Sequence, residues 1–194
     1  MNILRKAVFL SLCFALLFLS GCWSYLSKEA QQKFDSREEA FSVTVYPVSV
    51  VLGPERVSDD ELAAELIDFL KKEDLAAPVL GTGVIDIPVK WGRNQAKMAQ
   101  QSAINFSEQM KEENIQTDYA LMVEILCSSA ENKVGGVHYF LCDKDGNLAN
   151  GGLTNSHWAE FQEVEPHDRQ GGLAVAKLML RNNWHKSENE FSTD

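Results

Sequence analysis

The stretch Asp118-Tyr119-Ala120-Leu121-Met122-Val123-Glu124-Ile125-Leu126-Cys127 decides the fold. Apolar residues fill both of its alternating faces, so it reads as a strand covered on both sides and hence central in a sheet. Val134 to Cys142 reads as a second strand, and Leu148 to Thr154 as a third, short and glycine-rich. Between those two, Asp143-Lys144-Asp145-Gly146-Asn147 reads as a hairpin turn, because Asp-Gly favours positive φ. Consecutive strands with short connections pair antiparallel.

Upstream of the central strand, Asn94 to Glu112 reads as the longest helix. Ala96, Ala99, Ala103, Phe106 and Met110 recur at three and four residues, a thin face that lets a helix lie close on a sheet. Val84 to Trp91 alternates as a half-buried strand, and Pro88 suggests an edge. Another helix starts at Val57-Ser58-Asp59-Asp60-Glu61-Leu62, where Ser58 and Glu61 form a capping box, and ends near Glu73. Phe41 to Leu52 is Val-rich and reads as a strand that Pro47 either bends or places at an edge. Downstream, residues 155–169 read as a loop and Leu173 to Trp184 as a closing helix. The order β-α-β-α-β-β-β-α predicts an α/β protein with a single mixed sheet and helices packed on it. One domain spans residues 41–185; residues 22–40 read as a tether with room for a short helix, and 186–194 as a frayed tail.

Cys127 and Cys142 test this pairing. A hairpin closed near residues 130–132 faces Cys127 with about residue 135, and Cys142 with about residue 120. The two thiols then stand roughly 23 Å apart along the strand, whereas a disulfide needs Cα atoms within about 7 Å. Two unpaired, buried thiols are expected.

The 194 residues carry a formal net charge of −10 and 45% hydrophobic residues. The length suits one domain, and the acidity argues against a nucleic-acid partner, which needs a surplus of Lys and Arg. The apolar residues are unevenly placed. Arg5 and Lys6 precede an apolar run from Ala7 to Leu19, then Ser20, Gly21 and Cys22. A basic start, a short apolar core and small residues at the cut form a secretory signal peptide over residues 1–21. Leu19-Ser20-Gly21-Cys22 resembles the lipobox of bacterial lipoproteins. That resemblance implies lipid on Cys22, cleavage before it, and a membrane reached through the acyl chains. Trp23 rather than Asp follows the cysteine, which in that family favours the outer membrane, facing the periplasm. Cleavage removes 21 residues with Arg5 and Lys6, leaving 173 residues and 16 basic against 28 acidic side chains, a net charge of −12. Anionic headgroups repel such a surface, so lipid rather than protein holds it at the membrane.

No chemical motif stands out. His138, His157, His167 and His185 show no metal-ligand spacing, and neither a metal nor a cofactor is expected. The pairs Gly135-Gly136, Gly151-Gly152 and Gly171-Gly172 lack phosphate-loop spacing and read as turns and close strand approach. Trp91, Arg93, Asn155, His157 and Trp158 lie in two segments read as loops, a combination suited to a partner contact. For a hydrolase, Glu124, Asp143, Ser156 and His157 would have to converge in a cleft.

Over residues 42 to 184 the element order resembles the amino-terminal domain of TolB and the lipoprotein activators of penicillin-binding proteins. Thr117-Asp118-Tyr119-Ala120-Leu121 is its nearest local likeness. The resemblance implies a non-catalytic docking module that binds an envelope protein or assembly. Two alternatives are an envelope hydrolase acting on cell wall or glycan, and a lipoprotein that binds a small ligand.

Overall fold

A computed structural model describes residues 26–83, 85, 94–128 and 133–184. Cys22 and the signal expected before it, the strand expected over 84–91 apart from Ile85, Trp91, Arg93 and the expected tail lie outside the described residues. The chain is α/β; among the described residues one mixed sheet of seven strands has five helices packed around it.

The centre of the sheet is β5 (Tyr119–Cys127), buried at every position. Along one side it pairs antiparallel with β6 (Val134–Asp143), which pairs antiparallel with β7 (Leu148–Asn155). Along the other side it pairs parallel with β1 (Ser42–Val45) over its first half and with β2 (Val48–Leu52) over its second. β3 (Glu55–Asp59) lies antiparallel outside β2, and β4 (Ala77–Leu80) parallel outside β1.

β1 and β2 are the strand expected over 41–52, interrupted at Pro47. Val45 faces Leu121 and Ser49 faces Glu124, so this side carries one residue more than β5 does. Pro47 has no amide hydrogen to give the ladder, and the chain slips by one residue there. The bend therefore occurs inside the sheet rather than at an edge. Gly53-Pro54 then turns the chain back into β3, with Gly53 at φ 63°.

That hairpin moves the next helix, α2 (Asp60–Lys72), from its expected start. Ser58 belongs to β3, and Asp59 is the cap, accepting from the Leu62 amide at 3.0 Å. Ser58-Asp59-Asp60 offers several capping side chains, and the pairing of Ser58 with Ser49 selects among them. α3 (Gln95–Glu112) follows Asn94, whose side chain accepts from the Lys97 amide. The loop expected over 155–169 contains α4 (Ala159–Val164), ended by Glu165 in the left-handed region. α5 (Arg169–Trp184) begins four residues early, because Asp168 accepts from the Gly171 amide and Gly172 is accommodated within the helix. A Cβ on Gly172 would stand 2.6 Å from Ile125 Cγ2, so glycine brings α5 down onto β5.

Residues 28–35, within the stretch read as tether, form α1, whose Phe34 is fully buried. Phe34 meets Phe41, Tyr119 and Trp184 edge to face at 5.4–6.0 Å. Helices α1, α2 and α5 cover one face of the sheet, over Val43, Leu121, Val123, Ile125 and Tyr139. α3 covers the other, over Ala120, Met122, Phe140 and Cys142. Among the described residues no helix is long and apolar enough to cross a membrane.

Cys142 pairs with Ala120 and Cys127 with Val134. Both thiols are buried and unpaired, and they face opposite sides of the sheet.

Candidate functional site

Even-numbered positions of β5 point toward α3. Leu-Met-Val-Glu-Ile-Leu therefore delivers one carboxylate, Glu124, into an otherwise apolar layer, where it is 1% exposed. Strands on either side bring its partners. Arg56 of β3 places Nη2 2.6 Å from Glu124 Oε1, and His138 of β6 places Nδ1 3.1 Å from Oε2. Arg56 also donates through Nη1 to Ser49 Oγ, on the strand between.

The network continues to the surface through α3. Gln95 donates through Nε2 to the Thr154 carbonyl at 3.0 Å and meets His138 Nε2 at 3.1 Å. Its Oε1 accepts from Asn155 Nδ2 at 2.7 Å. With both Gln95 donors so used, the His138 proton sits on Nδ1 and is donated to Glu124. Gly136 creates the room, since a Cβ there would stand 2.1 Å from Gln95 Nε2. Asn155 Oδ1 in turn accepts from the His157 amide at 3.0 Å, shaping the 155–158 turn.

Burial pushes the Glu124 carboxyl up, but the His138 hydrogen bond and the Arg56 charge outweigh it, and its pKa lies below the ordinary value. Burial raises the pKa of both the Cys127 and Cys142 thiols. Neither is a ready nucleophile at neutral pH.

Beside Gln95 a cleft of about 470 Å³ opens between the end of the β5–β6 hairpin, α3 and α4. Met98, Leu126, Val134 and Phe161 supply its apolar wall, and Lys133 and Ser156 lie among its polar residues. Ser156 and His157 are exposed, and Trp158 is 52% exposed.

The structure thus brings Asn155 into the network and places His157 and Trp158 on the turn beside it. It does not gather the four residues a hydrolase would need. Asp143 faces Tyr119, five residues along β5 from Glu124 or roughly 17 Å, and there it accepts from the Asp145 and Asn147 amides to shape its hairpin turn. Among the described residues no set of three His, Cys, Asp or Glu side chains is placed to hold a metal ion.

Arg56, His138, Gln95 and Ser49 escape a reading of motifs. His138 had a signal: a hairpin that faces Ala120 with Cys142 also faces Glu124 with His138. Arg56 had none, because its strand looks like the approach to a helix cap. No protein-family model matches the chain, and a search of curated proteins finds no match.

Proposed function

We propose that the protein is a lipid-anchored envelope lipoprotein, held by acyl chains on Cys22, that binds a partner protein of the envelope and performs no reaction. One contrast carries this reading. The groups with chemical potential, Glu124 and His138, are sealed in the sheet, Glu124 paired with Arg56 and His138, and His138 also against Gln95, whereas Trp158 and the cleft beside it face solvent. His138 Nε2, the nitrogen a catalytic histidine would turn to a nucleophile, is occupied by a Gln95 amide. An exposed Trp beside an apolar cleft is instead the composition of an interaction hot spot. Trp91 and Arg93, read from the sequence alone, are further candidates for the partner contact.

Anchoring is tested by Cys22→Ala, which moves the protein from the membrane to the soluble fraction; retention in the membrane would overturn it. Binding is tested by crosslinking the native lipoprotein in cells. Trp158→Ala should abolish the crosslinked product while changing stability by less than about 0.5 kcal/mol. The same product at undiminished yield would exclude Trp158 from the contact. The cleft also favours a second reading, a small apolar ligand seated on Met98, Leu126 and Phe161. A bound compound extracted from the native protein would support it.

A further inference from the structure

We propose that His138 is a pH-sensitive latch: a second proton on its ring breaks the hydrogen-bond chain that ties the 155–158 turn to α3, and frees the turn that carries Trp158. The chain has a fixed direction, because backbone groups take part in two of its bonds and cannot change roles. The Thr154 carbonyl only accepts, so the Gln95 atom 3.0 Å from it is the amino group, Nε2. The His157 amide only donates, so the Asn155 atom 3.0 Å from it is the oxygen, Oδ1. That leaves Asn155 Nδ2 to donate to Gln95 Oε1, the 2.7 Å bond in the structure. It also leaves His138 Nε2, 3.1 Å from the Gln95 amino group, as an acceptor. The chain is complete only while that nitrogen keeps its lone pair.

A proton on Nε2 sets donor against donor. Turning the Gln95 amide over relieves this contact, but takes the donor from the Thr154 carbonyl and sets Gln95 Nε2 against Asn155 Nδ2. Turning Asn155 over in response sets its amino group against the His157 amide. Every arrangement leaves a bond broken. Buried groups suffer most from losing a partner, and His138 is fully buried whereas His157 is exposed. The break therefore falls toward the turn, where water replaces the lost partner. The bonds from the Trp158 amide to the Asn155 carbonyl and from Gln162 to the Ser156 carbonyl lie within residues 155–162. Among the described residues, Asn155 is the side chain that ties the turn to α3.

Few charges bear on the ring. Glu124 of β5 meets Nδ1, and Arg56 of β3 sits on the far oxygen of that carboxylate. β7 places Leu153 opposite His138, Phe140 lies along β6, and α3 presents Gln95. Glu124 favours the second proton and Arg56 opposes it. The latched turn binds one proton fewer than the open one, so the open turn gains as pH falls. A partner held through Trp158 is released by the same proton, a consequence that rests on the contact proposed above.

The test follows the native protein in detergent micelles by NMR, with heavy nitrogen in the histidine rings and tryptophan indoles. The scan runs from about pH 8 to about pH 5, the range in which histidine charges change. Glu124 stays ionised throughout, because the burial that raises its pKa is outweighed by the His138 bond and the Arg56 charge. Trp158→Phe identifies the Trp158 signal. The expected result is a proton gained at His138 Nε2 and a shift of the Trp158 signal with the same midpoint. That midpoint stays in place in His157→Gln, which removes the titrating neighbour of Trp158. In Gln95→Leu, His138 still titrates and the Trp158 signal no longer follows it. A Trp158 signal that stands still while His138 gains its proton, or that loses its shift in His157→Gln, would overturn the latch. So would a His138 Nε2 still bare at the lower limit, or a Trp158 signal that follows His138 in Gln95→Leu. None of these measurements involves a partner, so the latch and the partner contact stand or fall separately.

Discussion

Glu124 shows how a charge survives in a core. A carboxylate removed from water forfeits several kcal/mol of hydration unless charge and hydrogen bonds replace it. Arg56 and His138 supply both here, one from two strands away across β2 and one from the neighbouring β6. Because the folded carboxyl has a pKa below its ordinary 4.5, the folded state binds fewer protons than the unfolded chain in the window just under that value. The stabilisation is complete above pH 4.5 and is lost as pH falls through the lower folded pKa. Glu124→Gln should therefore cost about 3 kcal/mol in urea denaturation at neutral pH. Its stability should also fall less steeply than that of the parent protein on acidification, and an unchanged acid limb would assign the effect to another carboxyl. A lone acid in Leu121–Leu126 and a lone His in Val137–Cys142 were both visible in the sequence. Their meeting followed from the hairpin pairing; Arg56 and Ser49 did not, because a proline turn brings them together.

At the scale of elements, periodicity reported those with one clear face and missed those held by tertiary contacts. α3, β5, β6 and β7 lie within a residue of their expected limits. β3 and β4, of five and four residues, carry too little pattern to stand out and owe their existence to pairing with β2 and β1. α1, for which the tether left room, shows its helix but not its burial in the sequence: Lys28–Asp35 is polar apart from Ala30 and Phe34, yet those two are buried. Phe34→Ala should thus destabilise the whole domain by about 3–5 kcal/mol, as loss of a core aromatic does, measured by thermal or urea unfolding. A change under about 0.5 kcal/mol, typical of a surface site, would return α1 to the tether. The two aromatics flanking it, Phe41 and Trp184, lie 143 residues apart in the chain, a separation no local pattern reports.

At the scale of the molecule, two unequal layers enclose the sheet. Three helices cover one face and α3 the other, and each free thiol belongs to a different layer. In the Cys22→Ala protein, electrophoretic mobility should be the same with and without reductant. A thiol reagent should label Cys127 and Cys142 only as the protein unfolds; a fast-reacting thiol in the native state would show that one layer opens locally. Two layers, and hence the fold class, could be read from a central strand apolar on both faces. That Ser49 shares a face with Glu124 could not, because that depends on the slip at Pro47. Side chains in a strand keep a strict two-beat alternation, and the extra residue between Val45 and Ser49 changes the beat once. Before it, odd-numbered valines look toward the three helices; after it, even-numbered ones do. Ser49 consequently looks toward α3, where Arg56 and Glu124 are. Loss of a single residue at this point would act as a frameshift does in a message, turning every later side chain of the strand to the wrong side while leaving the composition almost untouched.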